Sequence, residues 1–96
     1  MSEGTTVTRD DERHRYEARA EDGRLAGFAE FELGDGIVEF THTVVRDEFE
    51  GQGIGSTLAR AALDGSREQG LAVVATCQFI KDYVDRHPEY ADLLAS

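Results

Sequence analysis

The sequence predicts a mixed α/β (α+β) domain in which an antiparallel meander is followed by a β-loop-α-β crossover and a C-terminal helix. Three observations predict it. Apolar and polar residues alternate along successive segments before position 46, a Gly51-Gln52-Gly53-Ile54-Gly55 run separates the last of them from a stretch of helical spacing, and 71–77 is an unbroken apolar run. The chain has 96 residues, 40 % of them hydrophobic, which is enough for one modest core and excludes a second domain.

Residues 1–12 (MSEGTTVTRDDE) are polar and aperiodic, so they are expected to form a flexible N-terminal arm with a short extended piece near Val7, ahead of a single domain over 13–96. From His14 to Ala20 the odd positions carry Arg15, Glu17 and Arg19 while the even ones are less polar, which is strand alternation. Asp22-Gly23 supplies a hairpin turn, and Arg24 to Leu33 follows with Leu25, Ala29, Phe31 and Leu33 on one face. After Gly34-Asp35-Gly36 a third strand runs from Ile37 to Val45. Ser56 to Gln69 then shows helical spacing, with Leu58, Ala61, Ala62 and Gly65 on one side and Gly70 placed to end it. The apolar run Leu71 to Cys77 reads as a strand covered on both faces, and its link to the third strand through a helix implies a parallel crossover. A second helix covers Phe79 to Arg86, with Phe79, Ile80, Tyr83, Val84 and His87 at core-facing spacings, and Pro88 stops it.

Charge narrows the partners. Twenty acidic residues stand against ten basic ones, a formal net charge of −10, whereas nucleic-acid affinity is built from Lys and Arg; DNA and RNA are poor partners. Lys81 is the single lysine, and the acidic residues are spread along the chain, a pattern that suggests adaptation to high salt and leaves an ordinary acidic protein as the alternative. The sequence shows no apolar stretch long enough for a membrane helix and no secretion signal, so a cytoplasmic protein without membrane contact is expected. One cysteine and three histidines give neither a disulfide nor a spaced metal site.

The glycine run has two readings. Its amides can converge on a pyrophosphate at the positive end of a helix, or its glycines can simply supply the torsions of a tight turn. Two nucleotide motifs fail: a P-loop needs GK[ST], and the Rossmann spacing would put its third glycine at Ser56. A Rossmann loop also follows the first strand, whereas three strands precede this one and one follows it.

The run Glu50-Gly51-Gln52-Gly53-Ile54-Gly55-Ser56-Thr57-Leu58 resembles the Q/R-x-x-G-x-G/A acetyl-coenzyme-A loop of the GCN5-related N-acetyltransferases. Thr41-His42-Thr43-Val44-Val45, GQGIGSTLARAAL, the single Cys77 and the closing His87-Pro88-Glu89-Tyr90-Ala91-Asp92-Leu93-Leu94 resemble the minimal branch of that family, called N-acetyltransferase-domain-containing-1-like, over about 14–94. The resemblance implies a minimal GNAT fold and transfer of an acetyl group from acetyl-CoA to a primary amine; a non-catalytic coenzyme-A-binding module or sensor is the alternative. One position departs from the pattern: Glu50 stands where Arg or Gln is usual, and its charge opposes a pyrophosphate.

What the resemblance implies for single residues can be set beside their plain structural reading. Val44 and Val45 would offer their backbone to the pantetheine arm, and Gln52, Gly53, Ile54, Gly55, Ser56 and Thr57 would hold the phosphates. His42 would be the base that takes the amine proton; it alternates with Val38, Phe40 and Val44 and reads equally as a core histidine. Cys77 would lie near the thioester, able to accept acetyl or only to shape the pocket; by itself it reads as a small buried hydrophobe. Tyr83 would touch the cofactor or protonate its thiolate, against the reading of a Phe79-Tyr83-His87 core stripe. His87 and Tyr90 read as structural, and Glu39 and Thr41 as weaker candidates for steering an ammonium substrate.

Overall fold

A computed structural model of the chain describes residues 4–95. Five strands, β1 (Thr6–Asp10), β2 (Arg15–Arg19), β3 (Leu25–Gly34), β4 (Ile37–Val45) and β5 (Ala72–Ala75), form one sheet in the order β1-β2-β3-β4-β5. β1 to β4 are antiparallel neighbours, and β4 pairs with β5 in parallel. Two helices complete the domain, α1 (Ile54–Glu68) between β4 and β5 and α2 (Gln78–Arg86) after β5. This is the predicted α/β class, a meander closed by a β-loop-α-β crossover and a C-terminal helix.

The short extended piece expected near Val7 is a full strand, β1, which narrows the arm expected over 1–12. Residues 1–3 lie outside the described residues, but Thr6–Asp10 pairs along its whole length with β2. Its inward positions are Val7, facing Ala18 across the ladder, and Arg9, whose guanidinium lies 5.2 Å from the centre of the Phe31 ring. An arginine that covers a core aromatic does so with its stem, so the polarity pattern of the segment hides its strand period.

The core lies on one face of the sheet. Tyr16, Phe31 and Phe40 form an aromatic cluster with ring centroids 5.6–6.2 Å apart. Ala18, Ala29, Val38 and Val73 extend it, and α1 lays Ile54, Leu58, Ala59, Ala62, Leu63 and Ser66 across it. Gly70 ends α1 as expected: at φ +70 it lets its own N–H reach the Arg67 carbonyl and that of Leu71 reach Ser66, closing the helix with paired bonds. α2 and the tail pack beside α1 on the same side, through Phe79 against Gly55 and a 2.7 Å bond from the Tyr90 hydroxyl to Asp64. Ala95 donates its N–H to Val73 at 2.8 Å, so the tail runs along the outer edge of β5.

Among the described residues no helix covers the opposite face. It carries Glu17, held by Arg15 and Arg19 at 2.8 and 3.0 Å, with the Arg15 guanidinium 4.4 Å from the Phe28 ring centre. Burial pushes the Glu17 carboxyl up, but the two arginines outweigh it and hold the group below its ordinary value. No described helix is long and apolar enough to cross a membrane.

One irregularity decides what the sheet offers. Phe31 pairs with Phe40 and Glu30 with His42, so Thr41 is an extra residue in β4, a bulge whose hydroxyl reaches the Glu30 carbonyl at 3.4 Å. An extra residue reverses the parity of everything after it. Val38 and Phe40 point into the core; beyond the bulge, Thr43 and Val45 take that side and His42 and Val44 turn to the helix-free face. The expected alternation of His42 with Val38 and Phe40 is thereby corrected.

Candidate active site

β4 and β5 stay paired only from Ile37 with Ala72 to Phe40 with Ala75, and a last bond joins the Cys77 N–H to the Phe40 carbonyl at 2.9 Å. Beyond it β5 gives way to α2, while β4 continues to Val45 with no strand paired to it on that flank among the described residues. A cleft opens between the strand ends. Arg46 donates its N–H to Ala26 on β3 at 2.8 Å, and main-chain groups alternate in direction along an antiparallel strand. The amides of His42 and Val44 therefore turn to β3, and those of Thr43 and Val45 face the cleft. Of the two residues expected to offer backbone there, Val45 does and Val44 does not. The Val44 carbonyl comes so near β3 that a Cβ on Gly27 would lie 2.5 Å from it, which is why glycine stands at 27.

The glycine loop borders the same cleft. Gly51 and Gly53 have φ of +80 and +75, conformations that side chains resist, and Gly53 is the N-cap of α1 with no side-chain cap. The first intrahelical bond runs from the Thr57 N–H to the Gly53 carbonyl at 3.0 Å. The N–H groups of Ile54, Gly55 and Ser56 precede it and have no helical acceptor, so three donors point outward from the positive end of a helix. The Thr57 hydroxyl also returns to the Gly53 carbonyl, at 2.9 Å, which makes Thr57 a brace for the loop instead of an outward donor. Gly55 has a different need: a Cβ there would meet the end of the Phe79 ring at 2.6 Å. Phe79, expected in the core, is 41 % exposed and leans over the helix start. Gln52 and Ser56 are exposed, as is Glu50. A recess of about 380 Å³ runs from Gln52 and Ile54 to Phe49 and the turn at 20–22, and none of Thr43, Val45 and Cys77 lines it.

Cys77 is the N-cap of α2, almost buried, and its Sγ donates to the Thr43 hydroxyl at 3.3 Å. His42 lies on the other face with its side chain 73 % exposed and Nδ1 3.6 Å from Glu30 Oε1. The structure thus does not seat the imidazole beside the thiol. Thr43 is the thiol's neighbour, a residue that sequence reasoning missed because strict alternation put it on the wrong side. Glu39, a candidate for steering an ammonium, accepts a bond from Thr76, and Thr41 is occupied as the bulge.

Tyr83 takes the place of a packing residue. It is buried in the seam between α1 and α2, stacked on His87 at 3.9 Å and 15°, and a hydrogen bond from Arg60 to Tyr83 holds the guanidinium above its ordinary value. The core reading of the Tyr83-His87 stripe is the one the packing supports, and His87 is fixed by a 2.8 Å contact of Nδ1 with the Tyr83 carbonyl.

A family model described as GCN5-related N-acetyl-transferase matches residues 15–93. Protein NATD1 of Gallus gallus and of Mus musculus are each 43 % identical over 56 residues, covering 58 % of this chain and 51 % of theirs. The Danio rerio protein of that name is 34 % identical over 62 residues, covering 62 % and 56 %. The chain spans about half the length of these curated relatives. Among solved structures, a GCN5-like protein from Staphylococcus aureus superposes with a TM-score of 0.73 at 22 % identity, covering 98 % of this chain and 91 % of that one. An acetyltransferase-like protein from Deinococcus radiodurans gives 0.54 at 26 %, covering 80 % and 52 %.

Proposed function

The chain belongs to the GCN5-related N-acetyltransferase family, and from that premise we propose that it moves an acetyl group from acetyl-CoA to a primary amine in the cytoplasm. The observation that carries this reading is the set of outward amides at Ile54, Gly55 and Ser56, held by Gly51 and Gly53 at the mouth of a cleft between parting strands. A diphosphate suits those donors, because each oxygen can accept an N–H without displacing a side chain and the helix end favours negative charge. From there the main-chain groups of Val45 and Thr43 line the way to the strand ends, matching the amides of a pantetheine arm. The thioester then lies between the parted strand ends, with Thr43 and Cys77 to its core side and the open face to its other side.

The chemistry divides between the two faces. On the open face the His42 imidazole takes a proton from R–NH₃⁺, which frees the nitrogen lone pair. That pair attacks the thioester carbonyl carbon; as the C–N bond forms the C–S bond breaks, the nitrogen gives up its second proton through solvent to the departing coenzyme thiolate, and the imidazolium returns the first to water. Direct transfer is favoured over an acetylated Cys77, since the thiol faces Thr43 on the core side and the imidazole stands on the other. A second reading, a coenzyme-A-binding module without turnover, draws on the exposed acidic Glu50 beside the loop and on the open face, which no helix among the described residues covers.

Labelled acetyl-CoA incubated in molar salt with spermidine, a lysine peptide and a free N-terminal peptide tests both. Transfer to one of these amines is expected, with His42→Gln slowing it about a hundredfold and Cys77→Ala leaving most of it. Binding of the label without transfer to any amine supports the module and overturns the enzyme.

A further inference from the structure

From the cross-strand geometry on the open face we infer that Glu30 is a positioning residue for His42, fixing the imidazole with Nδ1–H toward the Glu30 carboxylate and Nε2 free for the acceptor. The inference rests on the reading of His42 as the base. Glu30 and His42 are directly opposed in the β3–β4 ladder, and residues so opposed carry their side chains on one face at close range. The register that opposes them is set by the Thr41 bulge; without the extra residue His42 would turn into the core and Glu30 would face another partner. Nδ1 and Oε1 are 3.6 Å apart, and a small rotation of the exposed imidazole closes the pair to hydrogen-bond distance.

The surroundings leave the carboxylate to this histidine. Across β3 the opposed residue is Arg15, the nearest cation by register, but its Nε is bonded to Glu17 at 2.8 Å and its guanidinium is seated on Phe28. Arg19 also bonds Glu17, and Arg13, which lines a recess with Glu30, is bonded to Asp10 at 2.9 Å. Glu30 is therefore not drawn away by the arginines beside it. An imidazole whose one nitrogen donates to a carboxylate presents the other as an acceptor, so Glu30 selects the tautomer that proton removal requires.

Two measurements on the intact protein test this. In ¹⁵N NMR of labelled protein, with the His42 ring assigned by its loss in His42→Gln, neutral His42 is expected as the Nδ1–H tautomer; Glu30→Gln should shift it toward Nε2–H. In the transfer assay, Glu30→Gln should lower kcat about tenfold with the KM for acetyl-CoA unchanged, and Glu30→Asp should recover part of the loss. In a His42→Gln background the same substitution should cost nothing further, because its effect runs through the imidazole. An unchanged tautomer, or an undiminished loss in the His42→Gln background, overturns the role of Glu30 while leaving the base intact. Wild-type turnover in His42→Gln overturns the base reading itself, and with it the inference.

Discussion

Tyr90 shows how single residues set the pH range of the fold. Burial, then the bond to Asp64 and that carboxylate's charge, push its phenol up from 10.0 to about 12. The folded chain thus keeps a proton that the unfolded chain releases, so the stabilisation is fully present below pH 10 and is lost as pH rises toward about 12. Denaturant midpoints measured across that window should fall steeply in the wild type and less steeply in Tyr90→Phe; equal slopes would show that the phenol is not the titrating group. Glu17 works at the other end. Its folded value lies below the ordinary 4.5, so its contribution is present above that pH and disappears as acid protonates it.

At the scale of elements, the loop before α1 depends on two glycine conformations that other residues adopt only under strain. Gly53→Ala at φ +75 should cost about 1–2 kcal/mol of stability and turn the free amides of the first helical turn away from one another. A lower Tm together with at least tenfold weaker coenzyme-A binding by calorimetry is expected; unchanged binding would remove the loop from the cofactor site. Much of this element structure was legible beforehand. Local signals place β4 with the bounds observed, α1 and α2 within two residues of theirs and Gly70 at the helix stop, because alternation, helical period and a terminal glycine can each be read without knowing the fold. The bulge was not legible, since Thr41 differs in no local way from the strand threonines around it; its extra residue shows only against the register of β3. That one missed residue accounts for the wrong face of His42 and the neglect of Thr43 beside Cys77; Val44 turns its backbone to β3 for a plainer reason, since main-chain groups alternate in direction along any strand. Tyr83 was ambiguous for another reason: an aromatic at i, i+4 spacing carries no mark of which neighbour it will stack on.

For the whole molecule, a net charge of −10 opposes any polyanionic ligand, and the loop must hold its diphosphate against that field. Salt shortens the reach of the repulsion from about 10 Å at 0.1 M to about 3 Å at 1 M, while donors in direct contact are screened less. Coenzyme-A binding should therefore tighten severalfold between those concentrations, the reverse of what a basic phosphate-binding surface shows; a Kd that rises with salt would contradict it. The single bridge that the tail makes with Val73 has an effect on how copies of this protein meet. With Val73 at the middle of that border already bonded from within, an incoming strand finds its longest unbroken run of main-chain groups at the far margin, β1, where Thr6, Thr8 and Asp10 give it a hydrophilic and partly like-charged flank to match.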